Sequence, residues 1–486
     1  MALQMSFSIA FAWTFMAAIL VSVMAMSTIM KKKNKKKKKK ESKGTVPPGD
    51  MGLPWLGETM EFCKAQKKNQ LFETFVQPRA EKYGEIFKTK LFGSPTVVVN
   101  GAEANRFVLS NEFKLFTSAW PSSTVEIMGK DSIMERQGEA HRCIRGIVAQ
   151  SLSCAGLEAI VPRICETIQS HFDQFWQNRD EIRLHGMAKL LTFTIMFECL
   201  LGISVEPEMV ALFERALDGI FAPPLKLPGS KFSRAKKARL EIEKLLVGIV
   251  RQKKKEMEVE AGEANPGGLL LSRLVASLIR GEISEKEAVD NVVLLVFAAH
   301  DTTSFAIAMT FRMLAQNPHC YSLLLQEHND ITSKKKAGEN LTMEDTKKMK
   351  YTWQVARESM RLLPPIFGSF RKAMADIEYK GFLIPKGWKI MWTTYGTHHN
   401  ADYFPNPLAF DPTRFEDPIQ PYVFMPFGGG PRVCAGIQMA KLNILIFVHF
   451  VVTRYNWSLR CPDEPIVVDP VPFPSRGMPM AISPKP

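Results

Sequence analysis

Ten residues constrain this chain more than any others: the run Phe427-Gly428-Gly429-Gly430-Pro431-Arg432-Val433-Cys434-Ala435-Gly436 puts one cysteine on a glycine-rich turn, with an arginine two residues before it. Glycines let backbone amides come close to a sulfur that must stay anionic, because side chains there would hold the main chain away. The apolar stretch Ile437 to Val452 reads as a helix opening just behind Cys434; its N-terminal amides and dipole favour a thiolate. A loop of this kind offers a thiolate to haem iron. Phe427, Gly430 and Gly436 frame the turn, and Arg432 is placed for a haem propionate. Two other uses compete, a structural cysteine beside a turn and a phosphate-cradling loop. Phosphate loops want Gly-Lys-Ser/Thr at the helix opening, whereas Gly-Pro-Arg-Val-Cys stands here.

A second constellation lies upstream. Tyr351 to Leu363 reads as a helix ending before Pro364-Pro365, with Glu358 and Arg361 three apart on one face. Such a pair is usually a solvated salt bridge. Asp411-Pro412-Thr413-Arg414-Phe415, between that helix and the cysteine turn, supplies a second arginine. The three residues Glu358, Arg361 and Arg414 can then form a network, and buried charges are tolerated only when fully paired. With Glu-x-x-Arg, Pro-x-Arg-Phe and Phe-x-x-Gly-x-Arg-x-Cys-x-Gly in this order, the chain resembles the cytochrome P450 family. The resemblance implies a mainly α fold with a small β portion, and Cys434 as the axial ligand of haem.

Ser284 to Pro318 reads as one long helix, opened by a capping box of Ser284 and Glu287 and closed by Pro318. Its centre, Ala298-Ala299-His300-Asp301-Thr302-Thr303-Ser304, breaks an apolar pattern whose flanks are too uniform for a surface helix. Polar groups buried there need a partner or a function. In the family this segment crosses the distal face of the haem, and Asp301 and Thr302 match an acid-alcohol pair that relays protons during oxygen activation. Ala299 stands where the family usually has Gly, beside the groove for oxygen.

No Gly/Ser-rich linker interrupts the 486 residues after the N-terminal segment, so one large catalytic domain is expected over 59–486. Thr96 to Asn100 and Lys389 to Thr394 read as strands of a small sheet. Eight cysteines are scattered without CxxC pairs or disulfide-like spacing, so neither a zinc site nor an oxidising compartment is implied; the seven besides Cys434 are expected to be reduced and mostly buried. Residues 1–30 carry no charged side chain, and Phe7 to Met26 is apolar enough to span a bilayer. The polylysine run Lys31 to Lys40 follows it, the order of an anchor rather than a cleaved signal. The expectation is a single-pass endoplasmic reticulum protein with its catalytic domain in the cytosol, behind a polylysine and Pro/Gly-rich hinge over 31–58. The run's nine lysines dominate the formal charge of +14: without them 54 basic residues face 49 acidic ones. Contact with anionic headgroups explains the run better than nucleic acid does.

The hinge pattern Pro-Pro-Gly-x-x-Gly-x-Pro-x-x-Gly-Glu over 47–58, and Met425-Pro426-Phe427-Gly428-Gly429-Gly430-Pro431-Arg432, are similar to plant microsomal members that oxidise triterpenoids, steroid hormones, abscisic acid and taxane-like diterpenes. By this resemblance Arg371 meets a propionate, as do Arg145 and His141, the latter replacing a family Trp. Residues at substrate-contact positions are apolar: Phe297, Ala298, Ile366, Phe367, Phe370 and Phe473. Each serves equally well as ordinary core. The implied reaction is hydroxylation or further oxidation of a hydrophobic terpenoid, triterpenoid or sterol-like molecule by dioxygen. Electrons come from NADPH through a membrane-bound flavoprotein reductase docking near the Cys434 loop, since no nucleotide motif appears in the chain. Two alternatives stand beside it: a haem-thiolate isomerase or dehydratase acting on hydroperoxides without dioxygen, and a non-catalytic haem-binding membrane protein.

Overall fold

A computed structural model describes residues 44–259, 269–336, 338–469 and 471–485. The expected membrane span and the polylysine run lie outside these residues. Among the described residues, 44–47 and 376–385 form one compact unit, and 48–375 with 386–485 form a second, much larger one. In the small unit, Ile377–Tyr379 and Phe382–Ile384 make a hairpin, with Thr45 bridged to Phe382. Its turn residues Lys380 and Gly381 both have positive φ, the geometry that matches strand twist in a two-residue hairpin.

The large unit is mostly helical. Its axis is the helix Glu285–Gln316, opened by the Ser284/Glu287 capping box, with both reciprocal hydrogen bonds formed. Pro318 does not close this helix but opens the next one, Pro318–Thr332, where its missing N–H costs nothing. The long helix packs against Leu184–Thr194, Lys231–Val259, the Glu-x-x-Arg helix Lys350–Leu362 and the loop helix Ile437–Arg454. Around it lies one continuous core. The helices Leu184–Leu201, Glu285–Gln316 and Ile437–Arg454 are long and apolar enough to cross a bilayer, yet about two thirds or more of each apolar window is buried in protein. They are core helices.

A five-stranded sheet holds one flank. Ile86–Leu91 pairs antiparallel with Ser94–Val99, which runs parallel to Lys389–Thr393; Gly368–Ala373 and Phe116–Ser118 complete it. Val97, Val98 and Val99 are fully buried, the β-branched side chains that a pleated surface accepts well. Residues 48–58 lie along the first hairpin: Lys88 N–H donates to Pro48 O at 2.7 Å and Glu58 N–H to Lys90 O at 2.9 Å. A Cβ on Gly57 would fall 2.1 Å from Lys90 O, so the close approach requires glycine. All eight cysteines are free, but of the seven besides Cys434 only Cys165 and Cys199 are buried. The expectation of mostly buried cysteines fails because Cys63 and Cys154 sit on outward faces of surface helices.

Candidate active site

The cysteine turn is held from several sides. Cys434 N–H donates to Phe427 O at 2.9 Å, closing the loop on itself, and Gly436 N–H donates to Cys434 Sγ at 3.3 Å. Gly428 and Gly430 have φ of +70° and +67°. At Gly430 a Cβ would meet Leu109 O at 2.1 Å, so the turn rests directly on backbone of the helix Ala102–Ser110. Arg145, on the helix Gly138–Ser151, donates to Val433 O at 2.6 Å. The Cys434 side chain is accessible although protein surrounds it. Burial pushes its thiol pKa up, while the Gly436 amide and the Arg145 charge pull it down; ligation to a cation completes the deprotonation.

Three predicted propionate residues converge around a carboxylate that sequence reasoning missed. Glu112 pairs with Arg432 Nε at 2.7 Å and with Arg371 Nε at 2.5 Å. Arg432 also donates to the carbonyls of Ile133, Met134 and Arg136. His141 is buried, 5.0 Å from the Phe113 ring, and burial first, then Arg432 and Arg145, lower its pKa to about 4. It is therefore neutral. Nothing in the segment Asn111-Glu112-Phe113 marks Glu112 as special, because its partners lie 259 and 320 positions away.

The long helix has a break in burial near its centre. Ala298 is exposed and Ala299 and Thr302 are half-buried, continuing a face begun by half-buried Leu294 and Leu295, whereas the following residues 303–311 are all buried. Accessible surface at the centre of a buried helix means a cavity wall. Thr302 Oγ1 donates to Ala298 O at 2.7 Å. Asp301 turns elsewhere, toward a polar cavity of about 730 Å³ lined also by Lys189, Glu214 and Phe473. Lys189 Nζ lies 3.0 Å from Asp301 Oδ1 and 3.5 Å from Glu214, and His300 Nδ1 lies 3.4 Å from Asp301. Burial alone would raise the Asp301 carboxyl, but the His300 and Lys189 contacts outweigh it and hold it well below the carboxylate range. Lys189 had a sequence signal after all: it is the one Lys or Arg within the apolar helical stretch Leu184–Leu201.

The predicted substrate contacts sit in several different settings. Phe297 is 4% exposed, in an aromatic cluster with Phe213, Phe193 and Phe197. Phe367 and Phe370 lie against the N-terminal cluster around Phe62. Phe370 and Arg371 are consecutive in a strand, so they point to opposite faces of the sheet. Ile366 is exposed.

Glu358 and Arg361 are fully buried and meet in a two-pronged pair, both contacts at 2.7 Å. Arg361 spends its remaining donors on the carbonyls of His398, Pro407 and Ala409. Arg414 Nε lies 3.4 Å from Glu358, and Asp411 N–H donates to the same carboxylate. His398, also missed, carries the network onward: its Nδ1–H faces Arg361 O at 3.2 Å and its Nε2 accepts Met425 N–H at 2.9 Å, at the start of the cysteine turn.

A free sulfur on a glycine turn, arginines gathered beside it and an accessible stretch on the long central helix fit an iron porphyrin with a thiolate ligand. The class defined is that of mainly helical haem-thiolate proteins. The chain belongs to the cytochrome P450 family, whose family model matches residues 47–475. It is 41% identical to a beta-amyrin 28-monooxygenase of Medicago truncatula over 90% of this chain and 92% of that one. It is 39% identical to a taxoid 14-beta-hydroxylase of Taxus cuspidata over 90% and 88% respectively. The retinoic acid-bound cyanobacterial CYP120A1 structure superposes with a TM-score of 0.81 at 30% identity, covering 91% of this chain and all of that one. The protein is a cytochrome P450 monooxygenase that carries haem on the Cys434 thiolate and takes electrons from NADPH through a reductase.

Proposed function

We propose that this enzyme oxidises a rigid, hydrophobic terpenoid, triterpenoid or sterol-like substrate while anchored to the endoplasmic reticulum membrane, with the catalytic domain, over 59–486, in the cytosol. The observation that carries the substrate class is the identity of about 40% over nine tenths of the chain to plant enzymes named for oxidising a triterpene and taxoids. An apolar span followed by lysines supports the anchor, and such an anchor suits a substrate that partitions into lipid.

Haem, when bound, supplies the iron that activates dioxygen and delivers an oxygen atom to carbon. The chain's own residues do the rest. The Gly436 amide and Arg145 stabilise the Cys434 sulfur as an anion, and Arg145, Arg371 and Arg432, with His141, surround the propionate end. Phe427, Gly430 and Gly436 keep the turn's backbone close to the ligand. Asp301 Oδ1 takes protons from the polar cavity and Thr302 Oγ1 presents them on the accessible side of the helix. With its proton affinity held so low, Asp301 carries a proton only when the His300 and Lys189 contacts open. Ala298 and the exposed Ile366 contribute apolar surface to substrate, with Phe473 at the cavity margin, whereas Phe297, Phe367 and Phe370 act through packing. Glu358, Arg361 and Arg414 hold the turn in place. The reductase docks on the face near the Cys434 loop.

Expression with a plant reductase, NADPH and a panel of triterpenes, sterols and diterpenes should yield a hydroxylated product from at least one of them. Turnover confined to small phenolic or polar compounds would sink the assignment. Dependence on both dioxygen and NADPH separates this reading from hydroperoxide isomerisation, and any product separates it from a haem-binding scaffold.

A further inference from the structure

The carboxylate of Glu112 sits where this fold otherwise gathers positive charge. The residue is 3% exposed, and each of its oxygens belongs to a different arginine: Arg432 from the cysteine turn, Arg371 from the sheet. The backbone is shaped to put it there. Phe113 has φ +67°, a conformation that is strained for a bulky residue and persists only where surroundings enforce it. Asn111 O accepts the amides of Lys114, Leu115 and Phe116, winding the segment into a tight loop. The Phe113 ring then lies under the Arg432 guanidinium at 4.7 Å and beside His141 at 5.0 Å.

The two arginines are left in different states. Arg432 has its Nε on Glu112, Nη1 on two carbonyls and Nη2 on a third, so four of its five N–H groups are committed to protein. It fastens the cysteine turn to the segment 133–136. Arg371 meets Glu112 as a charge without a directed hydrogen bond, and its Nη1 donates to Ser369 Oγ and Phe370 O. Fewer of its N–H groups are committed to protein than those of Arg432, which leaves donors for a second carboxylate. Burying two guanidiniums side by side is strongly unfavourable unless a counter-charge is present.

We infer that Glu112 is a positioning residue of the haem site: it holds Arg371 and Arg432 in fixed orientation beside the cysteine turn, and its charge favours the oxidised iron. The inference rests on Cys434 ligating haem. A fixed negative charge near the macrocycle stabilises ferric over ferrous iron, so removing it must make reduction easier. Arginines already ordered lose no freedom when a propionate arrives, so releasing them loosens the cofactor.

The test uses full-length protein carrying haem, in three forms: wild type, Glu112→Gln and Glu112→Asp. Midpoint potential is measured by spectroelectrochemical titration, and haem transfer to apomyoglobin by stopped mixing. Glu112→Gln should shift the potential upward and release haem several-fold faster, while Glu112→Asp, which keeps the charge, stays near wild type in potential. Recovery of Glu112→Gln as folded apoprotein while Glu112→Asp retains haem supports the inference equally. An unchanged potential in Glu112→Gln, or equal loss of haem from both variants, overturns it and makes Glu112 a packing residue. Failure of the underlying ligation is recognised separately, by a wild-type carbon monoxide spectrum without the red-shifted thiolate band.

Discussion

Thr302 keeps its hydroxyl near the accessible middle of a largely buried helix, bonded back to Ala298 O, so its substitution removes the proposed proton path and disturbs little packing. Thr302→Ala should retain the thiolate carbon monoxide band, lower product per NADPH by roughly tenfold and leak more peroxide; that is below the usual contribution of a positioned proton donor because water can stand in. Measuring product, NADPH and peroxide together checks it, and unchanged product yield would contradict the relay. Glu358 is the opposite kind of residue. Its carboxylate faces two guanidiniums with no exposure, so Glu358→Gln leaves Arg361 buried without its counter-charge, a loss on the order of 3–5 kcal/mol. Thermal unfolding and the carbon monoxide spectrum should show a destabilised protein that holds little haem. Glu358, Arg361 and Cys434 were legible because short, fixed spacings mark them. Glu112 and His398 were not, since their partners are distant in sequence and each looks like any loop residue.

At the level of elements, the cysteine turn is shaped by contact as much as by its own glycines. Gly430 combines positive φ with a Cβ position 2.1 Å from Leu109 O, a carbonyl that cannot yield like a flexible side chain. Gly430→Ala should therefore cost at least about 1–3 kcal/mol through strain and displace the turn, seen as loss of the red-shifted carbon monoxide band. The long helix was readable from its capping box and apolar run, but not which way each residue faces. Phe297 was expected at substrate; the helix rotation packs it against Phe213, within an aromatic cluster. Phe297→Ala should lower stability by about 3–5 kcal/mol, visible in the unfolding midpoint, before it alters product regiochemistry. Pro318 shows the same ambiguity, since a proline ending one helix in sequence can equally begin the next.

Across the whole molecule, burial of neutral imidazoles sets an acid limit. Desolvation first, with neighbouring charges, lowers His171, His185, His399 and His449 to about 4 and His328 and His398 to about 3, from an ordinary 6.5. His328 and His449 face each other at 3.0 Å through their Nδ1 atoms, one donating and one accepting, which requires the accepting ring to be neutral. The unfolded chain takes up protons on these groups below pH 6.5 that the folded chain refuses. Stability is therefore complete above pH 6.5 and falls as the pH drops toward 4, each such histidine adding up to about 1.4 kcal/mol per pH unit. Two or three of them suffice to consume the usual net stability of a folded protein. Unfolding midpoints measured from pH 7.5 down to 5 should decline steadily; a flat profile would refute neutral burial.

The amino-acid sequence by itself determined the chemistry of the ligand, the Glu-x-x-Arg pair, the long helix and the family, because these depend on residue types at short separations, where backbone geometry leaves few choices. Which side chains meet was decided only in three dimensions: Glu112 between two arginines, Lys189 on Asp301, His398 between Arg361 and Met425, Phe297 in the core. Such contacts follow from helix rotation and sheet register set by the packing of the entire core, and no local pattern carries that information.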